Sequence, residues 1–196
     1  MIDSIVPVVE GHGEVEAVPI LLRRIAAISG AGGFRLERPL RCSKHKLVKA
    51  GELERVVELA ARRAGPKGAV LIVLDSDESC PKETAPELLA RARIARKDRT
   101  IALTLANHEF EAWFLAAIES IRGRRGIRPD ATFDGDPEGM RGAKGCLESL
   151  MNEGASYSET LDQPALAALM DIDMARRRSP SFDKFFRDVE RFWRGG

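Results

Sequence analysis

Residues 69–74, AVLIVL, form an unbroken apolar run that ends abruptly on Asp75-Ser76-Asp77-Glu78. The run is short, half β-branched and without a polar position, so it reads as a strand covered on both sides. Such a strand belongs inside a parallel sheet with helices on each face. That requirement narrows the architecture more than any bulk property does. Residues 5–9, IVPVV, repeat the pattern and end on Glu10. Residues 101–105 repeat it again, and residues 34–40 form a weaker candidate.

Helical periodicities fill the intervals. Val15, Val18, Leu21, Leu22, Ile25 and Ile28 share one face, and Gly30, Gly32 and Gly33 stop the helix. Leu53, Val56, Val57 and Ala60 predict a second helix over residues 52–63, and a third spans residues 84–96. Phe110, Trp113, Phe114, Ala117, Ile118 and Ile121 predict one amphipathic helix after the last strand. Alternating strands and helices give an α/β fold, Rossmann-like, with a mostly parallel sheet and flanking helices. Residues 1–121 form this core. Residues 122–141 are dominated by Gly, Arg, Pro and Asp and read as a long loop with the composition of a mobile one. Residues 142–196 read as a helical extension packed on the core, with one helix over 144–152 and a last one starting at Ser179-Pro180. The stripe Phe182, Phe185, Phe186, Val189 and Phe192 on that last helix reads as core packing.

Composition limits the partners. Of 196 residues, 44% are hydrophobic, enough for a sizeable core, and 31 basic residues against 30 acidic ones leave a net charge of +1. Without a whole-molecule field, any grip on a polyanion must come from a local patch. Cys42, Cys80 and Cys146 form no C-x-x-C pair, which argues against a zinc ribbon or a disulfide framework. No stretch approaches the roughly 20 apolar residues that span a bilayer, and the opening MIDSIVPVVEGHGE lacks a basic leader. The expected location is cytoplasmic, with no membrane contact; a homo-oligomer is compatible with the sequence.

The chemistry concentrates at two strand ends, V-E10-G-H-G-E14 and L-D75-S-D77-E78. In open α/β sheets ligands gather at the carboxyl ends of strands. If the two strands are neighbours, Glu10 faces Asp75 and Asp77. Carboxylates that close repel one another, and a divalent cation removes the repulsion. Oxygen ligands favour Mg2+ or Mn2+ over zinc. Alternation along an extended strand end is expected to point Asp75 and Asp77 to one side. Gly11 allows close approach of a phosphate, and the amides opening the next helix favour an anion. Glu14, one turn after Glu10, can complete a second metal site. An acidic metal site of this kind suits phosphoryl chemistry, with Glu10 also placed to act as general base or acid.

These residues resemble a known family. VVEGHGE followed by LIVLDSDE is similar to the Toprim domain, shared by topoisomerases, primases, recombination-associated proteins and the OLD-type nucleases. Toprim domains pair a glutamate after the first strand with a later D-x-D and use Mg2+. Small Toprim-like proteins of a bacterial domain-of-unknown-function family share more: VEG-x-x-E, the D-x-D strand end, an E-A-W-F/L-L helix and a late S-P-S-F segment. Here Glu111-Ala112-Trp113-Phe114-Leu115 and Ser179-Pro180-Ser181-Phe182 match the last two, so the resemblance covers nearly the whole chain. It implies a Toprim-like fold and, from the OLD-type nucleases, a metal-ligand role for Glu14. It also implies an ATPase partner encoded nearby and a place in phage defence.

The expected metal set is therefore Glu10, Glu14, Asp75, Asp77 and Glu111, with Glu10, Asp75, Asp77 and Lys144 as the catalytic set. Glu109 and Glu111 flank an apolar helix face, and each reads either as a site residue or as a solvated flank. Lys144, after the polar loop, reads either as a charge-stabilising lysine or as a surface one. Gly11, His12, Lys44 and Lys46 are the candidate substrate contacts; Lys44, His45 and Lys46 read either as a backbone-gripping patch or as a solvated charge run. The function expected is a Mg2+-dependent nucleic-acid phosphodiester hydrolase, a nuclease or nickase. One alternative is a non-catalytic regulatory partner of an ATPase. Another is a phosphatase of the haloacid-dehalogenase type, with Asp75 as nucleophile and Asp77 as general acid; Ser79 breaks its D-x-D-x-T form. Strand transfer of the topoisomerase kind needs a tyrosine nucleophile and is not expected: the one tyrosine, Tyr157, falls in the helical tail, and no strand-gate domain accompanies it. A primase is not expected, since no zinc module or other initiating domain accompanies the motif.

Overall fold

The computed structural model describes residues 2–194. The chain alternates β1 (Ser4–Val9), α1 (Glu14–Ile28), β2 (Arg35–Leu36), β3 (Leu40–Arg41), α2 (Lys44–Leu47), α3 (Glu52–Ala64), β4 (Gly68–Asp75), α4 (Pro81–Ala95) and β5 (Thr100–Ala106). The strands lie in the order β2-β1-β4-β5, with β3 also paired to β1, and every pairing is parallel. The expected parallel sheet with flanking helices is present. The weak strand candidate at residues 34–40 is divided: β2 pairs with the start of β1 and β3 with its end. Pro39 lies between the two pieces, and proline donates no ladder hydrogen bond.

Alternation splits the strands between two cores. Ile5, Val9, Ala69, Leu71 and Val73 face one cluster together with Val18, Leu21, Leu22 and Ile25 of α1. Val6, Val8, Val70, Ile72 and Leu74 face the other, with Leu53, Val57 and Ala60 of α3 and Leu88 and Ala92 of α4. Both faces of β1 and β4 are thus covered, as their continuous apolar runs require. Ile28, expected on the inner face of α1, is 57% exposed instead, one turn beyond the packed stripe.

The second half supplies the cover for the α1 face. It comprises α5 (Ala112–Ala116), a 3-10 turn (Ile118–Ile121), α6 (Ala143–Ser149), α7 (Glu159–Leu169), α8 (Ile172–Arg178) and α9 (Pro180–Arg194). The single long helix expected over residues 110–121 is a short helix followed by the 3-10 turn. Residues 110–118 are all buried, so the segment has no solvent face for a longer amphipathic helix to present. Trp113 sits at its centre, with ring centroids 4.7 Å from Phe110, 5.2 Å from Phe182 and 5.0 Å from Phe185. Its indole N–H donates to Ser181 Oγ at 2.8 Å, which meets the polar need of a buried tryptophan. The E-A-W-F-L and S-P-S-F segments are therefore packed directly on each other.

Residues 122–141 contain no helix or strand, as expected, but they are pinned rather than loose. Ile127 and Ala131 are buried, and Ile127 bridges to Met151. Glu138 accepts from Ser179 Oγ and from the Ser181 amide at 2.8 Å, and its carbonyl accepts from Asn107 Nδ2 at 3.1 Å. Among the described residues no helix is long and apolar enough to cross a membrane, and the three cysteines are unpaired.

Helices α1 and α7 approach closely at Gly13. Its φ of −67° and ψ of −38° suit any residue, so space and not conformation calls for glycine. A Cβ there would fall well under 3.0 Å from both Gln163 Oε1 and the Glu159 carbonyl oxygen. Gly13→Ala is expected to force α7 outward and cost about 1–3 kcal/mol, the range for overpacking. Gly145 in α6 is exposed with open space around it, so Gly145→Ala should be neutral or gain about 0.5–1 kcal/mol from helix propensity. Chemical denaturation of the two variants checks both signs; equal stability would mean that α7 yields without cost.

Candidate metal centre

The chain leaves β1 through α1 to reach β2 on one side, and through α3 it later reaches β4 on the other. Because α1 and α3 lie on opposite faces, the carboxyl ends of β1 and β4 flank a topological switch point, where open α/β sheets bind ligands. Glu10 follows the last residue of β1 and Asp75 ends β4, and Val9 pairs with Val73. The two acidic strand ends predicted as neighbours are neighbours.

Glu14 opens α1 and is 3% exposed. One of its oxygens accepts the Glu10 amide at 3.1 Å. Glu111 immediately precedes α5, is 4% exposed and accepts from Tyr157 Oη at 3.0 Å and Gln163 Nε2 at 2.9 Å. Burial raises the Glu10, Glu14 and Glu111 carboxyls, with Glu14 pushed up to about 7. Burial, joined by the negative charges of Glu14, Glu111, Glu10 and Asp77, holds the Asp75 carboxyl well above the usual range. Asp75 Oδ1 and Glu10 Oε2 are buried with no hydrogen-bond partner. Native interiors seldom leave such atoms unsatisfied, and an ion is one of the things that satisfies them.

The aspartate pair is not aligned by strand alternation. β4 stops at Asp75, and Asp77 adopts a left-handed φ of 48°, a region that aspartate tolerates better than most residues. The Ser76 amide donates to the Ala106 carbonyl at 2.8 Å and the Asp77 amide to the His108 carbonyl at 3.0 Å, so a turn anchored on the end of β5 aims Asp77. Its side chain is 60% exposed.

Lys44 departs from both of its sequence readings. It is only 8% exposed, and its ammonium donates to the Ser76 carbonyl, to Asp77 Oδ2 at 3.1 Å and to Ser79 Oγ at 2.8 Å. Its backbone amide donates to Glu10 Oε1 at 2.9 Å. It is neither a solvated charge nor free to grip a phosphate. Lys46 points elsewhere, with an exposed ammonium 3.7 Å from Glu52. Lys144 is half-exposed and paired with Glu159 at 2.7 Å, which raises its ammonium above the usual lysine value. Its amide donates to Glu109 at 2.8 Å. His12 is exposed in the loop between β1 and α1. A Cβ on Gly11 would stand 3.0 Å from Glu14 Oε1, so this glycine leaves room for the carboxylate itself.

Three participants were not foreseen. Tyr157 and Gln163 orient Glu111, and Ser79 completes the seat of the Lys44 ammonium. Gln163 carries no local sequence signal, and Tyr157 stood out only as the sole tyrosine.

Among the described residues no three His, Cys, Asp or Glu side chains already form a metal cage. The reason is visible in the bonds above: Glu10, Glu14 and Glu111 each rest on a protein donor. The donor set nevertheless fits a hard divalent cation. All five side chains are carboxylates, the other four raise the proton affinity of Asp75, and two buried oxygens lack partners. An ion would have to draw these side chains off their present donors.

Fold and site together define an α/β protein with a carboxylate-lined crevice at the sheet's switch point. Residues 9–190 match the family described as Domain of unknown function (DUF4276), and the chain belongs to that family. No curated protein matches it. Among solved structures, the C-terminal region of the Burkholderia pseudomallei OLD protein aligns over 95% of this chain and 96% of that one, at 16% identity and a TM-score of 0.45.

Proposed function

We propose that the chain is a Mg2+- or Mn2+-dependent phosphodiester hydrolase that acts on nucleic acid. The observation that carries this reading is the pair of partnerless buried oxygens on Glu10 and Asp75, set among carboxylates at the switch point. The V-E-G-x-x-E and D-x-D segments, similar to those of Toprim nucleases, support it. Glu10, Glu14, Asp75 and Glu111 would hold the cation, with Asp77 at the rim. Bound there, a divalent ion supplies polarisation of a phosphate oxygen and activation of water. Glu10, half-buried at the end of β1, is the residue placed to take or give a proton. The exposed Arg41, His45, Lys46 and Lys49 beside the end of β1 would meet the backbone of a polyanion, the local patch that a net charge of +1 demands.

The test compares wild type with Asp75→Ala/Asp77→Ala on supercoiled plasmid in Mg2+ and in Mn2+. Nicking by the wild type alone is the expected result, and full activity in the double variant would sink the proposal. A second reading is favoured by the hydrogen bonds that already engage Glu10, Glu14 and Glu111. A non-catalytic module, or an enzyme completed by a partner such as an ATPase, would keep its carboxylates resting in this way. Metal-dependent stabilisation without nicking would support that second reading.

A further inference from the structure

We propose that Lys44 is a built-in cation of the acidic crevice: its ammonium, seated on Asp77, takes the place of a second divalent ion, so the site binds a single one. The inference rests on the metal reading above and specifies its stoichiometry. Lysine is almost never buried without a partner, yet Lys44 is 8% exposed. An ammonium has three donor hydrogens, and here three acceptors take them: the Ser76 carbonyl, Asp77 Oδ2 and Ser79 Oγ. The same residue's backbone amide holds Glu10 Oε1 at 2.9 Å. One residue therefore ties the end of β1 to the turn after β4, and it does so with fixed positive charge.

The need for positive charge is uneven across the crevice. Asp77 already has a cation at 3.1 Å and is largely solvated. Asp75 Oδ1 and Glu10 Oε2 are buried and have no partner. A divalent ion entering beside these two oxygens answers an unmet demand. A second ion beside Asp77 would meet the ammonium, and like charges a few ångströms apart in a partly dry site repel strongly. Lys44 thus acts as a positioning residue for the Asp75–Asp77 turn and as a block on a second metal.

Counting bound Mn2+ by electron paramagnetic resonance tests this without any reference to cleavage. Wild type is expected to bind one Mn2+ per chain, with no coupling between ions. Lys44→Met keeps the aliphatic length, removes the charge and should take two. Asp77→Asn should keep one, because Asp77 serves Lys44 rather than the ion. Two ions in wild type, one in a folded Lys44→Met, or loss of the ion in Asp77→Asn would each overturn the proposal. Two ions would do so while leaving the phosphodiesterase reading intact, whereas no bound ion in wild type would remove that reading as well. Should Lys44→Met fail to fold, the wild-type count and Asp77→Asn decide alone.

Discussion

Asp75→Asn is expected to make the metal-free protein more stable while it abolishes metal-dependent cleavage. Asp75 ends β4 with one oxygen buried and partnerless, and its ionised form meets Glu14, Glu111, Glu10 and Asp77. The amide has the same shape, so packing around β4 is preserved. What changes is the charge, which in this setting costs desolvation and repulsion without a salt bridge in return. Asparagine also brings two N–H donors to a neighbourhood rich in carboxylate acceptors. The gain should be about 1–3 kcal/mol, the usual cost of one unsatisfied buried polar group. For a chain of this length each kcal/mol moves the melting temperature by about 2–4 °C. The same substitution removes an oxygen that an ion would use, so its effect on turnover should exceed the about 10–100-fold typical of residues that only support a ligand. Thermal melts in chelator over a rising pH series read the first effect, which grows as Asp75 ionises, and plasmid nicking in Mg2+ reads the second. A destabilised variant in chelator would mean that Asp75 makes favourable contacts in the metal-free state, against the reading of it as a ligand held in waiting.

The parts of this site visible in the sequence are those whose signal is local. Glu10 and Asp75 each follow an apolar run of strand length, and strand ends at a switch point are where parallel sheets place ligands. Glu14 was legible for the same reason, one turn into the following helix. Lys44 was not. It lies in the basic segment RCSKHK, where its neighbours His45 and Lys46 are exposed, and only the arrival of the 75–79 turn from elsewhere in the chain buries it. The supports of Glu111 come from still farther away: Tyr157 is 46 residues along and Gln163 is 52. The fold shows the same division. Runs with both faces apolar announced β1, β4 and β5. The segment after β5 was legible as apolar, but its break into α5 and a 3-10 turn goes with enclosure by α6, α8 and the phenylalanines of α9, which periodicity does not report. Asp77 is a further case: the D-x-D spacing suggested strand alternation, and the hydrogen bonds of the turn to Ala106 and His108 set its direction instead.

Proton and metal should compete for the crevice, and stability should record the competition. Glu14 moves from an ordinary 4.5 to about 7 on folding, chiefly through burial, and Asp75 is raised as well. In the window between those values the native state binds more protons than the unfolded chain. The slope of unfolding free energy with pH is then negative, so the contribution of Glu14 is complete below about 4.5 and is lost as pH rises through about 7, and the raised Asp75 acts in the same direction. For Glu14 the loss is on the order of 3 kcal/mol, at 1.36 kcal/mol for each factor of ten in proton affinity. Metal-free protein should therefore melt at a lower temperature at about pH 8 than at about pH 5.5, where most other carboxylates have already ionised. Saturating Mg2+ should reverse the order. The ion needs the deprotonated carboxyls, so it adds little stability at the lower pH and most at the higher one. Melting curves at the two pH values, in chelator and in Mg2+, give four temperatures whose crossed pattern is the expected result. Parallel shifts, with Mg2+ adding the same amount at both pH values, would show that the ion binds somewhere other than among Glu10, Glu14 and Asp75. In Asp75→Asn the crossing should vanish, because the group that concentrates the negative charge has gone.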